Sequence, residues 1–252
     1  MEKVTVLGVP IDRVDRGEAL RRSVKALEEG KKFFIVTPNS EIVMQANKDG
    51  KLLDIIKKSD MTVPDGVGLV IASKMIGRPL RERVTGIDLM EDLLAYANRE
   101  KKSIYLLGAK PGIAEAAAGK IRERYPDIPV AGHHHGYFKG LHTGAKGHEE
   151  EKKVLEEIRK AQPDMLFVAL GAPKQEYFID EYLERLPAKI FVGVGGSLDV
   201  YSGTMRRAPE FYQRFGLEWL YRGIKEPWRF KRMSVLPLFL IQVLLKKEKP
   251  IS

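Results

Sequence analysis

Met165-Leu166-Phe167-Val168-Ala169-Leu170 runs directly into Gly171-Ala172-Pro173-Lys174-Gln175-Glu176. The uncharged apolar run reads as a strand, Gly-Ala-Pro as a tight turn, and the apolar spacing from Gln175 to Leu186 as a helix. Pro173 suits a first helical turn, which leaves Gln175 near the open end of that helix. The same design recurs along the chain. Strands are predicted at Val4–Val9, Phe33–Thr37, Met61–Val63, Ile104–Leu107, Ile128–Ala131 and Ile190–Val194. Helical spacing fills the intervals at Gly17–Glu29, Ser40–Asn47, Leu52–Lys58, Val67–Ile76, Asp88–Arg99, Ile113–Tyr125 and Glu149–Lys160. Alternation of this kind predicts an α/β fold, a Rossmann-like three-layer domain with a mostly parallel sheet, whose ligands gather at the carboxyl ends of the strands.

The alternation stops at Gly196. Residues 1–196 are expected to form the α/β catalytic core and 197–252 a basic, amphipathic helical appendage that docks on the membrane and completes the active site. From Gly196 onward there are eleven Lys or Arg against five Asp or Glu, a surplus of six out of the chain's net +9. This tail also holds both tryptophans, Trp219 and Trp228, and the apolar run Val235–Leu245 closed by Lys246 and Lys247. Eleven residues are too few to span a bilayer but suit its interface, so an anionic membrane surface is an expected partner. The 252 residues contain no Cys, which removes disulfides, thiolate metal sites and a Cys nucleophile. A start without a basic head and apolar core gives no secretory signal, so the expected location is cytoplasmic.

The residues that follow each strand carry the candidate chemistry. Thr37-Pro38-Asn39 leads into a helix, where Asn39 or Ser40 is either a plain N-cap or part of an anion or sugar site. Asp65, between Pro64 and Gly66, is placed for general-base work if the glycines let substrate approach the backbone; the alternative is a turn or capping Asp. Arg83 can pair with phosphate, and Thr85 and Asp88 can cap. Gly108 opens a Gly-bounded turn that resembles nucleotide-binding turns and is a nucleotide-binding candidate, though it lacks the Gly-Lys-Ser/Thr ending of a Walker motif. Gly193-Val194-Gly195-Gly196-Ser197-Leu198-Asp199 fails as a dinucleotide fingerprint because Leu198 occupies the third glycine position. Its glycines suit close approach to a nucleotide, with Asp199 for ribose or base. His133, His134 and His135 alternate faces on a strand and cannot converge on one metal.

Taken in order, Thr37-Pro38-Asn39, Asp65-Gly66, Thr85-Gly86-Ile87-Asp88, Gly171 to Glu176, Gly193 to Gly196 with Asp199, Arg207-Ala208-Pro209 and Leu217-Glu218-Trp219-Leu220-Tyr221-Arg222 resemble the WecG/TagA/CpsF glycosyltransferases. The resemblance implies an inverting, metal-independent transfer from a UDP-sugar donor to a polyprenyl-diphosphate-linked acceptor, without cofactor, on the inner face of the cell membrane. In the TagA branch the sugar is N-acetylmannosamine, the acceptor is undecaprenyl-diphosphate N-acetylglucosamine and the product belongs to wall teichoic acid; a donor such as UDP-ManNAcA is the alternative within the family. It further implies Asp65 as base, Thr37, Asn39 and Gln175 in the sugar pocket, and Tyr137 and Asp199 on the uridine. Arg222, Arg229 and Arg232 would be on the diphosphate. Guanidinium groups suit the charge that grows on a departing UDP. Two other classes stay open on the residues alone: a nicotinamide-dependent oxidoreductase, and a non-catalytic nucleic-acid or membrane-binding module. The strand-end carboxylate favours an enzyme and no nucleic acid partner. Oligomeric state is open, a homodimer through the apolar tail being one arrangement.

Overall fold

The computed structural model describes residues 2–214, 216–225 and 234–246. Six parallel strands form the central sheet: β3 (Phe33–Val36), β4 (Met61–Thr62), β5 (Ile104–Gly108), β6 (Val130–His134), β7 (Met165–Ala169) and β8 (Ile190–Gly193), in the order β4-β3-β8-β7-β5-β6. Alternating side chains feed two separate cores. Phe34, Val36, Leu166, Val168 and Phe191 pack on one face, and Ile35, Met165, Phe167, Ile190 and Val192 on the other. Both faces are covered, as a parallel sheet requires. Helices α2 (Ser40–Ala46), α3 (Gly50–Lys58), α4 (Val67–Met75), α7 (Glu149–Ala161) and α8 (Lys174–Tyr182) contribute to the first core; α1 (Arg16–Glu28), α5 (Gly86–Glu100) and α6 (Ile113–Arg124) build the second.

Two expected strands differ. Val4–Val9 is not one strand but the centre of a hairpin, β1 (Lys3–Val6) and β2 (Val9–Asp12), paired antiparallel. Leu7 and Gly8 both have positive φ, 48° and 82°, the signature of a two-residue turn whose twist matches its strands. The sixth strand begins two residues later than Ile128 and takes in His133 and His134, because pairing with β5 through Leu107 outweighs the polarity of the histidines.

After β8, α9 (Ser197–Tyr201) packs on α6 and buries Leu198 in the second core. Among the described residues there follow α10 (Glu210–Arg214), α11 (Glu218–Lys225) and α12 (Val235–Leu245). α12 lies on α2 and α4, with Phe239 and Val243 fully enclosed, while Leu238, Ile241, Leu244 and Leu245 face outward. Among the described residues no helix is long and apolar enough to cross a membrane.

Candidate active site

The strand order decides which loops meet. β4, β3, β8 and β7 are consecutive neighbours, so the residues after them share one end of the sheet and line a cavity of about 400 Å³. Thr37, Asn39, Asp65, Arg83, Gln175, Gly195, Gly196 and Asp199 all line it. The appendage supplies the rest of the wall through Met205, Glu218, Trp219 and Leu236.

Each of these side chains is held by local structure. Asn39 is the N-cap of α2, its Oδ1 accepting the Ile42 N–H at 3.0 Å, so the capping role and a place in the cavity coexist. Thr37 Oγ1 donates to the Gly193 carbonyl at 2.9 Å and ties the end of β3 to β8. Asp65 is half-buried; its N–H donates to the Pro38 carbonyl at 3.1 Å and its Oδ1 accepts the Gly86 N–H at 3.2 Å. Gly86 is the first residue of α5, capped by Thr85, so a helix N-terminus orients the carboxylate. The glycines around Asp65 line the cavity and also let the chain pack closely on itself. A Cβ at Gly66 would stand 3.0 Å from Asn39 Cβ, and one at Gly68 would stand 2.0 Å from Ser40 Oγ and 2.6 Å from Leu236 Cδ1. The chain itself fills that space, drawing α2 and α12 against the start of α4.

Gln175 is buried at the first turn of α8, whose N-cap is Pro173. Its Oε1 accepts the Gly195 N–H at 3.1 Å and its Nε2 donates to Glu176 Oε1 at 2.9 Å. Gly193 leaves room for this amide, since a Cβ there would come 2.5 Å from Nε2. Below the cavity, Arg207 donates to Asp88 Oδ1 at 2.5 Å. Burial pushes the Asp88 carboxyl up, but hydrogen bonds from Thr85 and Arg207, with the Arg16 charge, hold it below the usual carboxylate range. Glu218 lies 3.7 Å from Arg83 and 3.9 Å from Arg207, an ion-pair bridge between core and appendage.

Gly108 and Tyr137 are not in this cavity. Gly108 ends β5 and Tyr137 follows β6, beyond β7, where the Gly136 N–H donates to the Ala109 carbonyl at 2.8 Å and brings the Tyr137 loop to the Gly108 turn. Tyr137 is 65% exposed there. Gly108 has φ 132° and lies so close to β7 that a Cβ would meet the Ala169 carbonyl at 2.4 Å. Arg222 lies on α11, and its side chain is outside the described residues, as are Arg229 and Arg232. Among the described residues no group of three His, Asp or Glu is placed to hold a metal ion. A second cleft, about 660 Å³, opens beside α5, but its charges are already paired, Arg16 with Asp92, Arg124 with Glu91 and Arg207 with Asp88.

The sequence led to an appendage that completes the site through its arginines; it did not point to Met205, Glu218, Trp219 and Leu236 as the wall, nor to Glu176. Gly68, a glycine inside the first turn of a helix, was a signal for the close approach of Leu236. Glu176 gave none, because an acid near a helix start reads as a solvated dipole partner.

The arrangement provides a positioned carboxylate, amide and hydroxyl groups and glycine turns at parallel strand ends, a combination suited to displacement at a nucleotide-activated sugar. Comparison with known proteins agrees with it. The chain is 41% identical over 215 residues, 85% of its own length and 80% of the relative's, to the N-acetylglucosaminyldiphosphoundecaprenol N-acetyl-beta-D-mannosaminyltransferase of Bacillus subtilis (strain 168). It is 34% identical over 249 residues, 98% of its own length and 94% of the relative's, to the protein of the same name from Staphylococcus aureus (strain MRSA252). The family model for glycosyl transferases of the WecG/TagA/CpsF type matches residues 4–251, nearly the whole chain, and the chain belongs to that family.

Proposed function

We propose that the chain transfers N-acetylmannosamine from UDP-N-acetylmannosamine to undecaprenyl-diphosphate-linked N-acetylglucosamine, a step in wall teichoic acid linkage. The observation that carries this reading is the convergence of Asp65 with Thr37, Asn39, Gln175 and Asp199 on one cavity, in a chain whose relatives bear the name of that reaction. Asp65 takes the proton from the acceptor hydroxyl as that oxygen bonds the anomeric carbon. The bond from that carbon to UDP breaks, its electron pair leaves with the β-phosphate, and a single displacement inverts the centre. Thr37, Asn39 and Gln175 hold the sugar, while Gly195, Gly196 and Asp199 face the nucleotide. A nucleotide laid across the end of β7 reaches Gly108 and Tyr137, since neighbouring strands are only about 4.8 Å apart.

Arg83, with Arg222, Arg229 and Arg232, carries the diphosphate charge in place of a divalent ion. The outward apolar face of α12, followed by Lys246 and Lys247, suits the anionic inner leaflet where a lipid-linked acceptor resides.

The test is a transfer assay with a panel of UDP sugars and a short-chain polyprenyl-diphosphate acceptor, with and without EDTA. Transfer from UDP-N-acetylmannosamine, undiminished by EDTA, is expected. In Asp65→Asn the Gly86 hydrogen bond keeps an acceptor but no group takes the proton, so kcat should fall by roughly 10²–10⁴ with UDP binding retained. Wild-type turnover in that variant removes Asp65 from the chemistry.

A further inference from the structure

Among the described residues the other two fully buried acids are well partnered. Asp12 accepts from the Thr62 N–H and from Arg22, and Glu151 accepts the Leu141 and Gly147 N–H groups at 2.6 Å each, closing the loop before α7. Glu176 is as deeply enclosed, 1% exposed, yet its Oε1 has one hydrogen bond, from Gln175, and its Oε2 has none among the described residues. Such a group costs stability without closing a turn or a loop. What it does accomplish is local. Gln175 has its nitrogen on Glu176 and its oxygen on the Gly195 N–H. Turning the amide over would set oxygen against the Glu176 oxygen and N–H against N–H, losing both bonds. Without Glu176 the Gly195 contact alone would choose the orientation.

We infer that Glu176 is a positioning residue of the transfer reaction, fixing the Gln175 amide and, through it, the Gly195–Gly196 turn. This rests on the function proposed above. It asks only for an acceptor oxygen, which both the carboxylate and the neutral carboxyl provide.

The experiment compares the full-length wild type with Glu176→Met, Glu176→Gln, Gln175→Ala and the Glu176→Met/Gln175→Ala double variant, measuring kcat, KM for the UDP sugar and melting temperature. Glu176→Met keeps the bulk but removes the acceptor, so kcat should fall about tenfold with KM within about twofold. Its melting temperature should not fall, since an apolar side chain replaces a poorly partnered carboxyl. Glu176→Gln retains a carbonyl acceptor and should stay within about threefold of wild type, and the double variant should be no slower than Gln175→Ala alone. Full activity in Glu176→Met, equal impairment in Glu176→Gln, multiplying losses in the double variant, or a melting temperature that drops with activity each overturns the inference. A wild type that transfers no sugar overturns the proposed function, and the inference with it.

Discussion

Replacing Glu176 by Gln should change how stability depends on pH, in a direction set by the burial of that carboxyl. Full burial pushes the Glu176 carboxyl up from the ordinary 4.5 to about 7. Between those values the native chain holds a proton that the unfolded chain has released, so the native state binds more protons and its stability falls as pH rises. Below about 4.5 both states are protonated and the group contributes no difference; above about 7 its penalty is complete. The span from 4.5 to about 7 corresponds to ~3 kcal/mol. Glu176→Gln cannot titrate and lacks this term. Urea unfolding of both proteins, followed by far-ultraviolet circular dichroism at steps from pH 4.5 to 8, isolates the difference because every other group titrates alike in the two. The variant should gain about 3 kcal/mol relative to wild type across the range. Parallel stability profiles would refute the enclosed, poorly partnered state of Glu176 on which the reasoning depends.

Phe239→Ala should cost about 3–5 kcal/mol locally, since Phe239 is fully enclosed between α12 and its bed on α2 and α4. Hydrogen exchange should then show protection lost over residues 235–245 while β5 and β7 keep theirs. Gly108→Ala combines a φ of 132° with a Cβ 2.4 Å from the Ala169 carbonyl and should destabilise by roughly 3–5 kcal/mol. Gly112→Ala, with φ 81° and open space, meets only backbone strain and should cost about 1–3 kcal/mol; thermal unfolding of the pair checks the ranking.

Much of the site was legible because its residues follow strands, and a strand end is a local signal. Asp65, Thr37, Asn39, Gln175, Gly195, Gly196 and Asp199 were selected on that ground, Arg83 as a cation ahead of a helix, and all reach one cavity. Gly108 was selected on similar ground, and Tyr137 through the family resemblance, and neither reaches it, because membership depends on which strands are neighbours. Leu7-Gly8 was legible in principle: an apolar strand pattern hid a two-residue turn whose positive φ values only the fold displays.

The amino-acid order determined the alternation of strands and helices, the parallel class of sheet and the set of loops that could bear chemistry, since each depends on periodicity within a dozen residues. Tertiary structure alone decided the order β4-β3-β8-β7-β5-β6, the closure of the cavity by Glu218 and Leu236, and the burial of Glu176. Those follow from contacts between segments far apart in the chain, whose energies no local pattern encodes.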